Sequence, residues 1–144
     1  MKPLPISSRP CWIIEVPGSV RAGFPTPQED YGHKALDIAG QLIQHPQATF
    51  VMRCKGESMV DAGIFDGDYV VVDRAIKPMP GHIVVAVLDG DFTLKYLRNR
   101  SGRVFLEAAN PTFPPIYPKD GSTLEIWGVA TNTIHPLPGT ARWQ

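Results

Sequence analysis

The stretch CKGESMVDAGIFDGD, residues 54–68, sits between two runs that read as strands, TFVMRCK at 49–55 and DYVVVD at 68–73. It carries a single serine, Ser58, between Glu57 and Met59. Serine, aspartate and glycine are common where a strand gives way to a turn. Ser58 therefore suits the cap of a short helix over 59–62. It also suits a nucleophile. Gly56 lets the backbone turn tightly, and backbone N–H groups around Gly56, Glu57 and Met59 would then face a developing oxyanion.

Outward from this segment the chain reads as β. Candidate strands are 49–55, 68–73, 82–88, 91–98, 103–108 and 123–133, separated by Asp66-Gly67, Pro80-Gly81, Asp89-Gly90, Ser101-Gly102 and Asp120-Gly121. VAVLDGDFTLKYL is a hairpin signature, with a two-residue Asp-Gly turn between apolar strands. Upstream, HKALDIAGQLIQHP places Leu36, Ala39, Leu42 and Ile43 at helical spacing before Pro46, so the periodicity predicts one amphipathic helix of about three turns. Residues 1–32 hold six prolines, which argues for an extended arm with a short strand at 12–16. The expected fold is mostly β: a compact folded-over sheet or partial barrel, with one short helix and an extended N-terminal arm. The expected organisation is an arm at 1–32, a β-rich domain at 33–135 and a tail at 136–144.

Composition narrows the function classes. The 144 residues suggest one domain. Fourteen basic residues balance 14 acidic ones, so no bulk charge drives the chain toward nucleic acid. No apolar run nears the ~20 residues of a membrane helix, and the N-terminus lacks a signal-peptide core. A cytoplasmic protein is expected. Cys11 and Cys54 fit no metal or redox motif and read as reduced thiols. No metal and no cofactor are expected. Lys95, Arg98, Arg100 and Arg103 cluster around the Ser101-Gly102 turn. They read as a solvated hairpin, or as a contact for DNA or an acidic partner.

A serine hydroxyl needs a base to become a nucleophile. His33, His45, His82 and His135 have no recognisable triad context and read as surface or loop residues. The other base available is a neutral lysine. Lys95, in DFTLKYL, lies on a strand among apolar residues. A free lysine is only about 0.04% neutral at pH 7, so Lys95 can serve only if burial disfavours its charge. An outward-facing strand lysine is the competing reading.

With these residues in view, the chain resembles the LexA/UmuD-type self-cleaving serine peptidases. GESMVDAGIFDGDYVVVD (56–73) is similar to their nucleophile segment and DFTLKYL (91–97) to their lysine segment, with the same 37-residue separation of serine and lysine. The resemblance implies Ser58 as nucleophile and Lys95 as general base. It also implies self-cleavage between a small residue and a glycine about 35 residues before the serine. Ala22-Gly23, in RAGFP, stands 35 residues before Ser58, counted from Gly23. Gly23 leaves the Ala22 carbonyl open to attack, and Pro25 and Pro27 keep the segment extended. Only 22 residues precede that bond, too few for a helix-turn-helix domain. The resemblance is therefore to the UmuD-like mutagenesis proteins of the SOS response. It implies a homodimer, cleavage stimulated by the RecA–single-stranded-DNA filament, and a UmuC-type Y-family polymerase as partner in error-prone translesion synthesis. No direct sequence-specific DNA binding is expected. Many relatives have Cys-Gly at the cut, and often a second lysine where this chain has Tyr96. Two other readings are a non-catalytic polymerase-binding module and a signal-peptidase-like protease.

Overall fold

The computed structural model describes residues 3–5, 12–15, 22–23, 34–119 and 123–139. Its centre is one antiparallel sheet. Strands β4 (Thr49–Arg53), β5 (Tyr69–Asp73), β6 (Ile83–Leu88), β7 (Asp91–Arg100), β8 (Arg103–Glu107) and β9 (Glu125–Ile134) lie in the order β4-β5-β9-β6-β7-β8. A two-residue strand of the arm, β1 (Leu4–Pro5), adds to the β4 edge, pairing Leu4 with Val51 and Pro5 with Phe50. Proline is tolerated there because an edge strand need not donate on both sides.

The central strands explain their own sequences. β5 and β6 are buried on both faces, so they read as near-continuous valine runs and not as alternating ones. One face packs Val70, Val72, Val85 and Leu94 against Met52, Cys54, Met59 and Ile64. The other packs Val84, Ala86 and Val129 against Leu97 and Leu106. The register shifts between Val71 and Val72 and between Val85 and Ala86. Such bulges bend a sheet, in line with the expected folded-over form. The Asp89-Gly90 turn closes β6 onto β7 with both residues at positive φ, 50° and 85°. That is the twist a two-residue hairpin needs.

The predicted three-turn helix is the main correction. Lys34–Asp37 instead forms strand β3, which pairs antiparallel with β2 (Trp12–Glu15), from Trp12 opposite Asp37 to Glu15 opposite Lys34. Only Ile38–Leu42 is helical, as α1, and a 3₁₀ turn follows at Pro46–Ala48. Helical spacing is a local signal, and pairing with the distant arm overrides it. Gly40 further weakens a long helix, at about 1 kcal/mol relative to alanine. The arm strand expected at 12–16 is β2.

Gly128 in β9 marks a tight crossing. A Cβ placed there would lie 2.6 Å from Val72 Cγ1 and 3.3 Å from Arg74 Cγ. Val72 is fully buried and stiff at χ1, so it has no room to yield. Gly128→Ala is expected to destabilise the fold by about 1–3 kcal/mol. Thermal or urea unfolding checks this; an unchanged midpoint would show the crossing to be slack.

Candidate active site

Ser58 is held by the loop that joins β4 to β5. The loop is pinched at its base, where the Cys54 N–H donates to Asp68 O (2.7 Å) and the Gly67 N–H to Cys54 O (2.8 Å). Gly56 takes φ +92°, and its N–H donates to Asp66 Oδ1 at 2.8 Å. Beyond Ser58, Met59 is buried at 1% exposure and acts as the anchor. Its Sδ accepts from the Ala109 N–H at 3.4 Å, and the Asp61 N–H donates to Ala109 O at 2.8 Å. Asn110 Nδ2 donates to Glu57 O at 2.9 Å. A clamp on each side thus leaves Ser58 half-buried between two fixed points.

The helix-cap reading of Ser58 does not hold. The 3₁₀ turn Val60–Ala62 starts after Met59, with no side-chain cap. Ser58 Oγ instead meets Lys95. Among the described residues the backbone N–H groups of Glu57, Ser58 and Met59 have no hydrogen-bond partner, whereas that of Gly56 is committed to Asp66. Gly56 shapes the turn, and the amides after it remain available to a ligand oxygen.

Lys95 faces inward from β7, opposite the fully buried Val84 of β6, and is 8% exposed. Its Nζ lies 3.0 Å from each of Ser58 Oγ, Thr93 Oγ1 and Leu94 O. No carboxylate among the described residues forms an ion pair with it. Burial pushes its pKa below the ordinary 10.5, partly opposed by Cys54. Cys54, 5% exposed, is itself pushed up by burial and by Asp68 and Asp66, so it remains a neutral thiol. A neutral thiol does little to hold a lysine charged.

The three contacts suit a neutral amine, which has two N–H donors and one lone pair. Leu94 O can only accept, and Thr93 Oγ1 is able to accept. An ammonium donates to all three; once Lys95 is neutral, those two can keep its N–H bonds and free the lone pair for the Ser58 hydroxyl. Thr93 was not singled out from sequence, although a residue two positions before a strand lysine shares its face. Asp66 and Asn110, which fix the serine loop, were missed because their contacts are set by tertiary structure.

The histidines lie elsewhere. His45 Nδ1 contacts Asp73 Oδ2 at 2.6 Å, His135 pairs with the buried Asp68, and His82 Nδ1 accepts from the Met79 N–H at 3.1 Å. His33 lies outside the described residues. Ala22 and Gly23 are exposed at a bend in the connection between β2 and β3, and a Cβ placed on Gly23 would meet nothing within 4 Å. Among the described residues no group of three or more His, Cys, Asp or Glu side chains is arranged for a metal, and no helix is long and apolar enough to cross a membrane.

Comparison with known proteins identifies the family of the chain. The model of the Peptidase S24-like family matches residues 15–131. Protein SamA of Salmonella typhimurium is 44% identical over 119 residues, covering 83% of this chain and 82% of that protein. Protein ImpA of Escherichia coli is 46% identical over 117 residues, covering 80% and 78%. Protein MucA of Escherichia coli is 40% identical over 121 residues, covering 82% of each.

A buried lysine also leaves a mark on stability. Its folded-state pKa is lowered, so between that value and 10.5 the unfolded chain binds more protons than the folded one. Stability contributed by this group therefore rises with pH across that window. Lys95→Met lacks the titration. In chain kept whole by Ser58→Ala, Lys95 is expected to give stability relative to Lys95→Met that rises with pH from 7 toward 10, read as the difference between their urea midpoints. A difference independent of pH would contradict the burial argument.

Proposed function

Because the chain belongs to the Peptidase S24-like family of serine peptidases, we propose that it cuts its own backbone between Ala22 and Gly23 with a Ser58–Lys95 dyad. The observation that carries this reading is the 3.0 Å approach of the Lys95 amine to the Ser58 hydroxyl, at a buried site where no carboxylate among the described residues pairs with it. Neutral Lys95 takes the Ser58 proton as Oγ attacks the Ala22 carbonyl. Free amides beside Ser58, those of Glu57, Ser58 and Met59, steady the oxyanion. The Ala22–Gly23 C–N bond breaks, and the lysine proton passes to the departing Gly23 amine. Water, deprotonated in turn by Lys95, hydrolyses the Ser58 ester. Residues 1–22 leave and residues 23–144 remain.

The substrate is tethered, which removes most of the entropic cost of bringing the groups together. The exposed Ala22-Gly23 bend has to enter the cleft before attack, so the rate depends on how often the β2–β3 connection does so. Partners follow from the UmuD-type resemblance. A RecA–single-stranded-DNA filament would favour the cleavable arm conformation. The shortened chain, as a homodimer in the cytoplasm, would serve a UmuC-type Y-family polymerase in error-prone translesion synthesis during the SOS response.

Two experiments test the chemistry. Incubated alone, the chain is expected to yield fragments 1–22 and 23–144 by mass spectrometry, faster as pH rises and Lys95 loses its proton. Ser58→Ala and Lys95→Ala remain whole. A rate that is flat or falling between pH 7 and 10 would remove lysine as the base, and cleavage of an added unrelated peptide would point to a general protease. Thr93→Val deletes one hydrogen bond of about 1 kcal/mol to the amine, so cleavage at fixed pH is expected to slow about fivefold. Unaltered cleavage would show that Thr93 does not position Lys95.

A further inference from the structure

The hairpin that presents Lys95 continues beyond the sheet. β6 pairs with β7 only as far as Ile83 opposite Tyr96. Past the Leu97–His82 bonds, β7 and β8 form a two-stranded ribbon whose residues 99–104 are all exposed. Register puts Tyr96, Arg98 and Arg100 of β7 on the same ribbon face as Glu107, Phe105 and Arg103 of β8. Leu97 and Leu106, on the opposite face, enter the core.

Each arginine on that face lies over a ring. Arg98 Cζ is 4.2 Å from the Tyr96 centroid, Arg100 Cζ 5.3 Å from Phe105, and Arg103 Cζ 4.0 Å from Tyr117. Phe105 and Tyr117 are themselves in contact, with centroids 5.0 Å apart. Glu107 pairs with Arg98 at 3.3 Å. Arg100 and Arg103 form no ion pair with a carboxylate among the described residues, yet they stand directly opposite each other across the ribbon. Like charges directly opposite are destabilising. Two arginines without an ion pair among the described residues, each positioned over a ring, are placed to take an anion.

We propose that this face of the β7–β8 ribbon is a sequence-tolerant contact surface for single-stranded nucleic acid. Arginine forks match phosphate oxygens, and Arg98 and Arg100, two residues apart on a strand, are spaced by about 6.6 Å to meet successive phosphates of an extended chain. Tyr117, 40% exposed, lies alongside in contact with Phe105 and Arg103, and bases stack on exposed rings without regard to sequence. That ring favours nucleic acid over an acidic protein surface, which has carboxylates but no bases. The near-zero net charge of the chain confines the attraction to this patch. This inference stands apart from self-cleavage.

Fluorescence anisotropy of the full chain at pH 7 with a labelled oligo-dT tests it. Binding is expected with a dissociation constant of about 10⁻⁶–10⁻⁴ M, and with a log–log salt slope near −2 for three contacts at about −0.7 each. The double variant Arg100→Gln/Arg103→Gln keeps the ring-covering stems. It should bind at least tenfold more weakly, with a slope near −0.7, while Arg100→Lys/Arg103→Lys keeps most of the slope. An unchanged melting temperature shows the double variant folded, whether or not the chain cleaves itself. The proposal fails if the parent does not bind in 25 mM salt, or if the glutamine variant binds as the parent does. It also fails if polyglutamate displaces the oligonucleotide equally well at matched charge, which would assign the face to an acidic protein.

Discussion

An amine kept out of water, 3.0 Å from a hydroxyl, is the contact on which the rest of the structure turns. Removing an ammonium from water is unfavourable, and among the described residues no carboxylate pairs with it in return. What the site offers is one obligate acceptor, Leu94 O, and two hydroxyls, Thr93 Oγ1 and Ser58 Oγ. That set accepts the three N–H bonds of an ammonium and, once the amine is neutral, can free its lone pair for the serine hydroxyl. The sheet supplies the dryness: Lys95 lies on the strand next to β6, whose Val84, Val85 and Ala86 are buried at 1% exposure or less. The loop supplies the hydroxyl, because the Cys54–Asp68 pinch, the Asp66 bond to Gly56 and the sunken Met59 leave Ser58 little freedom.

The division of labour is strict. Residues that hold the serine come from one stretch, 54–68, with help from Ala109 and Asn110, and residues that hold the lysine come from β7 itself. The two halves meet because Met59, Cys54 and Leu94 share one apolar cluster. Packing and site geometry are therefore the same fact. A change that loosens this cluster shifts the distance between hydroxyl and amine before it unfolds the sheet.

Much of this was legible in the chain. Valine runs bounded by Asp-Gly and Ser-Gly turns gave the strands within one or two residues, because turn chemistry and β-branched runs are local signals. The serine turn and the strand lysine were legible as a pair because both sit in short motifs with fixed spacing. The helix expected across 33–45 was not found, since Lys34–Asp37 pairs with Trp12–Glu15, a partner about 20 residues away that periodicity cannot sense. Whether Lys95 faced inward was open from spacing alone, and the register that sets it opposite Val84 decides it. Asp66, Asn110 and Thr93 carry no motif; their roles arise only where the fold brings them to Gly56, Glu57 and Lys95.

The most direct measurement is the titration of the Lys95 amine itself, followed by the NMR signal of its Cε or Nζ in chain kept whole by Ser58→Ala. The account predicts a midpoint clearly below the ordinary 10.5, because burial disfavours the charged amine. A midpoint at or above 10.5 would mean that the amine stays charged at the site, and the account of the dyad would be wrong.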